Sequence, residues 1–255
     1  MGTQISIVIA TWNASETLRN CLGSIVSQLT DECELVIIDG GSTDNTVDII
    51  SDFKEYIYYT VSEKDNGIYD AWNKGVKISR GKWIAFIGAD DVLLPNAIET
   101  YLKVIKETDS IDEYDYICAR NEYVDKEGSL IKLIGNKPNW KTFRKRMNAA
   151  HVASLHNKTN LFGQIGYYDL SFKICADYEL LMRKKDKLKC LFIPNHIAQM
   201  QIGGMSFSTK AIVETFWIRH KYVSVPFLYN VILFAFDWLK FKSFVVRKKI
   251  MGYHK

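Results

Sequence analysis

The feature that most constrains the fold is an alternation of short apolar runs and helical patterns in the N-terminal part of the chain. Residues 5–10 and 35–38 are rich in Ile and Val and stop abruptly at polar residues, as buried parallel strands do. After the first run, Ser15 is placed to cap a helix whose apolar positions have helical spacing: Leu18, Cys21, Leu22 and Ile25. After the second, the glycine-bearing turn of DGGSTDNTVDII precedes another predicted helix. This alternation of strands and helices predicts an α/β fold with a mostly parallel sheet.

Polar residues follow the apolar runs where the predicted strands end. They are Thr11, Asn13, Asp39, Asp90 and Asp91. Ligands of open parallel sheets bind beyond the carboxyl ends of the strands. The sequence therefore predicts a ligand site on this rim of the sheet.

The apolar run WIAFIG is followed closely by two adjacent carboxylates, Asp90 and Asp91. Carboxylate pairs at the mouth of a buried strand hold hard cations such as Mg2+ or Mn2+, which usually carry the phosphates of a substrate. The alternative is that both residues cap a helix that begins near Pro95. A phosphate-bearing substrate is the functional expectation, and a helix cap is the competing interpretation.

Three motifs resemble those of the inverting glycosyltransferases of family 2, which have the GT-A nucleotide-sugar-binding fold: SIVIATWNASETLRNCLGSI, VIIDGGSTDNT and SEKDNGIYDAWNKGVKISRGKWIAFIGADD. Farther on, GYYDLSFKICADYELLMR resembles the segment that carries the family's catalytic base, and IGGMS resembles a glycine loop that follows it. The resemblance covers residues 5–206. It implies a Rossmann-like, three-layer α/β/α sandwich with a mostly parallel central sheet, to which this chain adds a helical, amphipathic C-terminal tail.

The resemblance also implies a set of donor-binding residues: Thr11, Asn13, Asp39, Asp65, Asn73, Lys74 and Asp90. Asp39 is expected to accept hydrogen bonds from a uracil-like edge or from sugar hydroxyls. Lys74 is expected to meet phosphate as a point charge. Taken singly, these residues have alternative roles as turn residues, helix caps or parts of a solvated helix face.

One position departs from the family pattern at the expected metal site. Many relatives have an Asp where this chain has Gly88, two residues before Asp90. The resemblance implies Asp90 as a metal ligand and Asp91 as a second or supporting one, with Mn2+ or Mg2+ as the cofactor. Metal dependence is expected, in a form that can be weaker than usual because the triplet of acids is incomplete.

Asp177 takes the position of the family's catalytic base. A base coordinated to a cation would be too weak to accept a proton, so the base should stand apart from the metal. The family often has an acid directly before it, where this chain has Ala176. Glu179 is the alternative base, although two residues along a helix it should face elsewhere, and an N-cap role for Asp177 also stays open. The implied reaction is a single displacement that inverts the anomeric configuration.

The acceptor half is described less well by the sequence. The candidate acceptor-binding residues are Arg144, with its basic neighbours Lys145 and Arg146, His151 and Gly204. The basic cluster could contact a lipid-diphosphate acceptor, and the histidine resembles one found at this place in related bacterial enzymes. A solvated basic helix end and a hydrogen-bonded core histidine are the competing interpretations.

A length of 255 residues with 47% hydrophobic content suits one catalytic domain. We expect this domain over residues 1–208, with a nucleotide-sugar half over 1–91 and an acceptor half over 92–208. The five cysteines form no CxxC pair, which predicts a reducing compartment without disulfides or zinc. The N-terminus lacks the pattern of a signal peptide, so we expect a cytoplasmic protein.

Residues 209–255 form a basic tail. From residue 210 onward it holds nine Lys or Arg and two acids, a net charge of +7 in a chain whose total is +4, so the rest carries −3. Within it, VSVPFLYNVILFAFDWLKF is too short to cross a bilayer, which needs ~20 apolar residues. The tail is therefore predicted to lie on the inner face of the cell membrane. The basic residues expected to meet anionic lipids are Arg219, Lys221, Lys240, Lys242, Arg247, Lys248 and Lys249.

The competing interpretation of the tail is a helix packed on the catalytic domain or on a second copy of the chain. Nucleic acid explains the charge less well, because the rest of the chain is acidic and no nucleic-acid-binding module is recognised.

Together these features predict transfer of a sugar from a nucleotide sugar, with UDP as the default nucleotide. The expected acceptor is a polyprenyl-diphosphate-linked saccharide in the synthesis of a bacterial surface polysaccharide such as O-antigen, capsule or exopolysaccharide. Two alternatives stay open: an inactive nucleotide-sugar-binding scaffold subunit and a metal-dependent phosphohydrolase. The sugar, the linkage and the oligomeric state are not predicted.

Overall fold

The computed structural model describes residues 2–125, 127–201, 203–204 and 207–250, with the backbone alone for 247–250. Within these ranges nine strands form one sheet: β1 Ile5–Thr11, β2 Cys33–Asp39, β3 Tyr59–Ser62, β4 Trp83–Gly88, β5 Val92–Leu93, β6 Tyr116–Val124, β7 Leu130–Ile134, β8 Leu155–Asn157 and β9 Cys190–Gln201. The α-helices of the same ranges are α1 Leu18–Val26, α2 Thr46–Asp52, α3 Ile68–Ile78, α4 Ala97–Glu107, α5 Trp140–Phe143, α6 Ala176–Met182, α7 Thr209–Lys221 and α8 Phe227–Ile250.

The sheet has the strand order β3-β2-β1-β4-β8-β6-β9-β5, and β7 pairs with β6. Strands β3, β2, β1 and β4 are mutually parallel. Strand β8 runs against its neighbours β4 and β6, and β9 is parallel to β6. Most strands of the described sheet therefore point the same way, which confirms the mostly parallel sheet.

Helices cover both faces of the sheet, which confirms the three-layer α/β/α sandwich. One buried cluster joins the sheet to α1, α2 and α4, and a second joins it to α3, α6 and α7. Along β1, Ile7 and Ile9 belong to the first cluster and Val8 to the second. Because both faces of β1 are buried, its sequence is apolar apart from Ser6 and Thr11 and does not alternate between apolar and polar residues.

The parallel strands bring their polar ends to one rim. Thr11 at the end of β1 is paired in register with Asp39 at the end of β2, and Ala10 is paired with Gly88 at the end of β4. The loops that carry the glycosyltransferase-like motifs leave the sheet at this rim. The expected ligand site therefore lies where these loops meet.

Some helices begin at residues other than those expected. The N-cap of α1 is Thr17 and not Ser15, whose backbone N–H donates to Asp44 Oδ2 at 3.1 Å. The N-cap of α4 is Asn96, so neither Asp90 nor Asp91 caps that helix. Helix α6 begins after its N-cap Cys175, which puts Asp177 in the first turn. The cap interpretations of these acids are therefore wrong, whereas the apolar positions expected for α1 are all buried.

Helices α7 and α8 form a pair that is fastened to the catalytic domain through α7. Glu214 of α7 accepts hydrogen bonds from the backbone N–H groups of residues 173–175 at 2.8 to 2.9 Å. Arg219 of α7 is fully buried, donates to the carbonyl oxygen of Lys145 at 3.0 Å and lies 3.5 Å from Asp237 of α8. The packing interpretation of the tail therefore holds for α7.

Helix α8 keeps an apolar surface in solvent. Four residues spaced three or four apart are each more than half exposed and form what we call the outer stripe: Leu228, Ile232, Phe236 and Leu239. No described helix combines the length and apolar character needed to cross a membrane. The side chains of Arg247, Lys248 and Lys249 lie outside the described residues.

Candidate active site

Asp39 organises the turn after β2. Its side chain is fully buried, and both carboxylate oxygens accept hydrogen bonds. Oδ2 accepts from the backbone N–H groups of Gly41 at 3.1 Å and Ser42 at 2.9 Å and from the Ser62 hydroxyl at 2.5 Å, while Oδ1 accepts from the Ser42 hydroxyl at 2.5 Å. A nucleobase or sugar hydroxyl would have to share oxygens that are already engaged. The described contacts thus give Asp39 the role of holding the turn in shape.

Asp65 lies against the same turn. Its Oδ1 accepts from the backbone N–H of Gly67 at 2.8 Å, which shapes the loop before α3. A Cβ built on Gly40 would lie 2.7 Å from Asp65 Oδ2, closer than side chains pack. Glycine at position 40 therefore lets the loop between β3 and α3 close onto the turn after β2. Asp39 and Asp65, both candidate donor-binding residues, are brought together here.

The end of β1 supplies a hydroxyl with spare bonding capacity. Thr11 Oγ1 is buried and has no hydrogen-bond partner among the described residues. Because buried hydroxyls normally bond something, Thr11 Oγ1 has capacity for a ligand or a water molecule. Asn13 is a turn residue, whose Oδ1 accepts from the backbone N–H of Thr43 at 2.8 Å. Between them, Trp12 is 66% exposed.

Asn73 and Lys74 of α3 are already paired. Asn73 Nδ2 donates to the carbonyl oxygen of Tyr168 at 3.0 Å and its Oδ1 accepts from the N–H of the same residue at 2.9 Å. This buried pair of hydrogen bonds ties α3 to the segment before α6, and a nucleotide sugar would have to share Asn73 with Tyr168. Lys74 Nζ lies 2.7 Å from Glu63 Oε1, and this bond raises the pKa of the lysine. A donor phosphate would reach Lys74 by displacing the exposed Glu63.

Asp90 and Asp91 close over Gly88 at the end of β4. Asp91 is buried and its Oδ2 accepts from the N–H of Gly88 at 2.9 Å, whereas Asp90 is exposed. A Cβ built on Gly88 would lie 2.8 Å from Asp91 Oδ2 and 2.9 Å from Asp90 Oδ1. A side chain at this position would have to displace these two carboxylates, whereas glycine lets both of them lie against the end of β4.

The same pair of carboxylates fits a divalent cation. Burial, and then the charge of Asp90, raise the pKa of Asp91 well above its usual range. A cation would relieve the repulsion between the two groups. No cluster of three or more His, Cys, Asp or Glu suited to a metal occurs among the described residues. Further ligands would therefore come from substrate phosphates and water, with the exposed Asp90 as the protein ligand and Asp91 in support.

Asp177 lies in the first turn of α6, where it meets α3. It is partly exposed, and its Oδ1 lies 3.1 Å from the hydroxyl oxygen of Tyr69. Burial raises the pKa of Asp177 to about 6, against the hydrogen bonds from Tyr69 and the backbone N–H of Tyr178. A carboxylate that titrates near neutrality is suited to accept a proton. We call the carboxyl ends of β1, β2 and β4, with the loops that leave them, the donor rim. Because α3 follows the loop of Asp65, which lies against this rim, the contact with Tyr69 links Asp177 to the donor rim.

Glu179, the alternative base, is fully buried and fully engaged. It is bound by Arg183 Nη2 at 2.5 Å, by Lys221 Nζ at 2.9 Å and by the hydroxyl of Tyr222. Burial raises its pKa, but the hydrogen bonds from these three residues outweigh that effect and hold it below the usual range. Glu179 is therefore a structural anion that fastens α7 to α6.

His151 pairs with His156 in the core. The distance from His151 Nδ1 to His156 Nε2 is 3.2 Å, and the ring centroids of Trp72 and Phe86 lie 5.1 and 5.7 Å from that of His151. Burial lowers the pKa of His151 to about 3, so its ring is neutral at physiological pH. Of the two interpretations of His151, these contacts favour the hydrogen-bonded core residue.

The basic cluster of Arg144, Lys145 and Arg146 lies against the tail helices. Arg146 Nη2 is 3.7 Å from Asp237 of α8, and Arg144 Nε is buried with no partner among the described residues. Gly204, the remaining acceptor candidate, is exposed after the end of β9. Its neighbours at 202, 205 and 206 lie outside the described residues.

Two residues at the candidate site, Tyr69 and Trp12, are not predicted from the sequence. Tyr69 contacts Asp177, and Trp12 is exposed beside Thr11. The available signal was an aromatic residue set among polar motif residues, in NGIYDAW and in TWNAS. That signal does not say whether the ring is buried or exposed, because both situations occur at the ends of strands and helices.

Comparison with known proteins gives the class to which this fold and rim belong. The family model described as "Glycosyl transferase family 2" matches residues 6–167. The chain therefore belongs to glycosyltransferase family 2 and is a transferase. It is similar to a PGL/p-HBAD biosynthesis glycosyltransferase of Mycobacterium bovis, with 32% identity over 188 residues that cover 70% of this chain and 68% of that protein.

Solved structures show the same fold. The crystal structure of S. aureus TarS 1-349 in complex with UDP-GlcNAc matches with a TM-score of 0.68 and 14% identity, over 91% of this chain and 71% of that one. The mannosyltransferase PcManGT from Pyrobaculum calidifontis, in complex with GDP-Man and Mn2+, matches with a TM-score of 0.62 and 12% identity, over 100% and 82%. The expected GT-A fold is thus confirmed.

Proposed function

We propose that this transferase is an inverting enzyme that moves a sugar from a nucleotide diphosphate sugar, foremost a UDP-sugar, to a hydroxyl of a lipid-diphosphate-linked glycan in bacterial surface polysaccharide synthesis. The observation that carries the proposal is the contact between Tyr69 of α3 and Asp177 of α6. Through this contact, the carboxylate of Asp177 lies beside the donor rim. It is partly exposed, and no cationic side chain among the described residues engages it.

Asp177 acts as the base. The acceptor oxygen forms a bond to the anomeric carbon, the bond from that carbon to the nucleoside diphosphate breaks, and the acceptor proton passes to Asp177. Its pKa of about 6 leaves the carboxylate mostly ionised at neutral pH and still able to take up a proton. Glu179 is held by hydrogen bonds from Arg183, Lys221 and Tyr222 and is not available for this step. A single displacement of this kind inverts the anomeric configuration.

The donor lies along the ends of β1, β2 and β4. Thr11 Oγ1 offers spare hydrogen-bonding capacity, and Trp12 offers exposed aromatic surface on which a base or sugar can pack. Asp39 and Asp65 keep the two loops in the conformation that the donor meets. UDP is supported as the nucleotide by the UDP and UDP-GlcNAc complexes of S. aureus TarS, although the PcManGT complex contains GDP-Man.

Asp90, supported by Asp91, would hold Mn2+ or Mg2+. When bound, the cation would offset the negative charge that develops on the leaving diphosphate. The convergence of the two carboxylates over Gly88 supports this assignment, and a Mn2+ complex is known for the fold neighbour PcManGT. Asp91 itself keeps Gly88 and the turn after β4 in place through its bond to the Gly88 N–H.

The outer stripe of α8 supports a lipid surface as the place where the acceptor is met. The basic cluster touches the same helix, because Lys145 Nζ lies 5.4 Å from the ring of Tyr229 and Arg146 pairs with Asp237. A diphosphate held by Arg144 and its neighbours would thus lie next to the helix that faces lipid. Apolar contact and attraction to anionic headgroups together make a peripheral anchor on the inner face of the membrane.

The test is release of nucleoside diphosphate from a panel of nucleotide sugars with Mn2+ or Mg2+, with and without a short lipid-diphosphate-linked saccharide. Asp177→Asn should lower acceptor-dependent release by ~100- to 10,000-fold. Asp186→Asn, an exposed acid shortly after α6, is the matched control and should behave as the unmodified protein. Equal release with and without acceptor would instead indicate a phosphohydrolase, and donor binding without release would indicate a scaffold subunit.

A further inference from the structure

The hydroxyl of Tyr69 stands between two acceptors from a distant part of the chain. Tyr69 lies in the first turn of α3, and its buried ring packs on those of Tyr168 and Trp72 with centroid distances of 5.2 and 5.4 Å. Its Oη is 2.6 Å from the carbonyl oxygen of Ile174 and 3.1 Å from Oδ1 of Asp177. Because the ring is held on two sides, the oxygen stays within reach of both acceptors.

A single hydroxyl proton cannot serve both acceptors at once. When Asp177 is ionised, Tyr69 can donate to its Oδ1. When Asp177 carries a proton on that oxygen, the carboxyl group can donate to Tyr69 Oη, and Tyr69 can donate to the carbonyl oxygen of Ile174. Each protonation state of Asp177 therefore has its own hydrogen-bond arrangement. The two arrangements differ by the rotation of one hydroxyl group.

We infer that Tyr69 is a positioning residue of the transfer reaction, whose hydroxyl holds the ionised carboxylate of Asp177 and turns to Ile174 when Asp177 takes the acceptor proton. This inference rests on the proposed role of Asp177 as the base. Tyr69 keeps its own proton throughout, so the proton that leaves the acceptor resides on Asp177 at the end of the step. The contribution of Tyr69 is to keep the base in place and to set the pH at which it is ionised.

The groups around Asp177 explain why the hydrogen bond from Tyr69 should affect its ionisation. The titratable groups that face it are neutral at physiological pH, because burial and the charge of Asp177 raise the pKa of each: Tyr69, Tyr168 and Cys175. The charged groups nearby are engaged elsewhere, Glu214 of α7 by the backbone of residues 173–175 and Arg183 by Glu179. Among the described residues, Tyr69 is therefore the side chain that stabilises the ionised form of Asp177.

The test compares Tyr69→Phe with Tyr178→Phe. Both changes keep a buried ring and remove a hydroxyl that donates to a backbone carbonyl at 2.6 Å, but the carbonyl reached by Tyr178 is that of Phe143. In Tyr69→Phe, the acidic limb of the pH profile of kcat/KM should move up by about one unit, because a hydrogen bond to the ionised form is lost. At neutral pH kcat should fall by about tenfold with the donor KM nearly unchanged. Tyr178→Phe should leave the acidic limb where it is.

Two further measurements do not depend on a fully active Phe variant. A carboxyl 13C NMR titration of the donor-free protein reports the pKa of Asp177 directly, and it should rise in Tyr69→Phe. Incorporation of 3-fluorotyrosine at position 69 keeps the ring and makes the hydroxyl a stronger donor, so the pKa of Asp177 should fall. Unchanged pKa values of Asp177 in both proteins would overturn the inference.

Asp177→Asn in the same assays separates this inference from the proposed function. If Asp177→Asn retains transfer, Asp177 is not the base, and both proposals fail. If Asp177→Asn is inactive while Tyr69→Phe has the pH profile of the unmodified protein, the role of Asp177 stands and only the role of Tyr69 is refuted.

Discussion

The donor rim and the acceptor side each depend on a buried or partly buried aspartate, and the two are held in opposite ways. Asp39 on the donor rim has both oxygens engaged by four donors, three from the turn that follows it and one from Ser62 at the end of β3. Asp177 on the acceptor side has one side-chain hydrogen bond among the described residues, and burial raises its pKa to about 6. The satisfied carboxylate holds the shape of the rim. Asp177, which has fewer hydrogen bonds, is left able to take up a proton.

The donor rim and the acceptor side also differ in how many of their groups are already bonded or packed. Around the donor rim, loops are locked to each other by Asp39, Asp65 and Asn13. Beside the acceptor side, α8 exposes its outer stripe, and Arg144 Nε and two nitrogens of Arg219 are buried without partners among the described residues. The loops of the donor rim are thus bonded mainly to each other, with spare hydrogen-bonding capacity at Thr11 Oγ1, whereas the acceptor region leaves apolar surface and arginine nitrogens without partners among the described residues.

The largest effect is expected from matched Asp→Asn changes in the two regions. In Asp39→Asn an amide nitrogen would face donors that now bond an oxygen, so the free energy of unfolding should fall by about 3 kcal/mol. In Asp177→Asn it should change by less than about 1 kcal/mol, because the Tyr69 hydroxyl and the backbone N–H of Tyr178 can still donate to the amide oxygen. Urea unfolding at pH 7.5 measures both. Equal losses would show that the two carboxylates are held alike.

The next effect concerns the cation that Asp90 would hold. Asp90→Ala removes the exposed member of the pair, and transfer at fixed Mn2+ should fall by roughly 30-fold, about 2 kcal/mol, with a higher Mn2+ concentration for half-maximal rate. Titration of the initial rate with Mn2+ measures this. Asp109→Ala, at an exposed acid distant in sequence, is the control. An unchanged Mn2+ dependence in Asp90→Ala would show that Asp90 does not hold the cation.

A smaller effect is expected from pH. The base must be ionised to accept a proton, so kcat/KM should rise with pH through about 6 and fall about tenfold for each unit below that value. A pH series from 4.5 to about 8 measures the limb. The residual rate of Asp177→Asn should lack it. A limb that persists unchanged in that variant would assign the titration to a different group.

The smallest effect is expected at the outer stripe. Ile232→Asp should weaken binding to vesicles that contain anionic phospholipid by about fivefold, or ~1 kcal/mol, because one exposed apolar side chain no longer enters the lipid surface. Co-sedimentation measures the change. Val47→Asp alters a partly exposed apolar residue of α2 on the donor half and should have no effect. Similar losses in both variants would mean that α8 has no special part in membrane binding.

Local patterns named most of the candidate site residues. The rim residues Thr11, Asp39 and Asp90 follow from where apolar runs stop, because the carboxyl ends of parallel strands meet at one edge. Asp177 was proposed as the base through its motif. The contact between Tyr69 and Asp177 could not be predicted in this way, because 108 residues separate the two and neither motif refers to the other.

The sequence by itself determined the class of fold, the rim and the motifs of the family, since these depend on hydrophobic period and on residues close together in the chain. Only the tertiary structure decided which polar groups are already used: Asn73 by Tyr168, Glu179 by α7, and the carboxylate of Asp39 by its own turn. It also decided that Gly88 leaves room for two carboxylates. The physical reason is that a polar side chain acquires its role from its hydrogen-bond partners and its exposure, and both depend on residues that are distant in sequence.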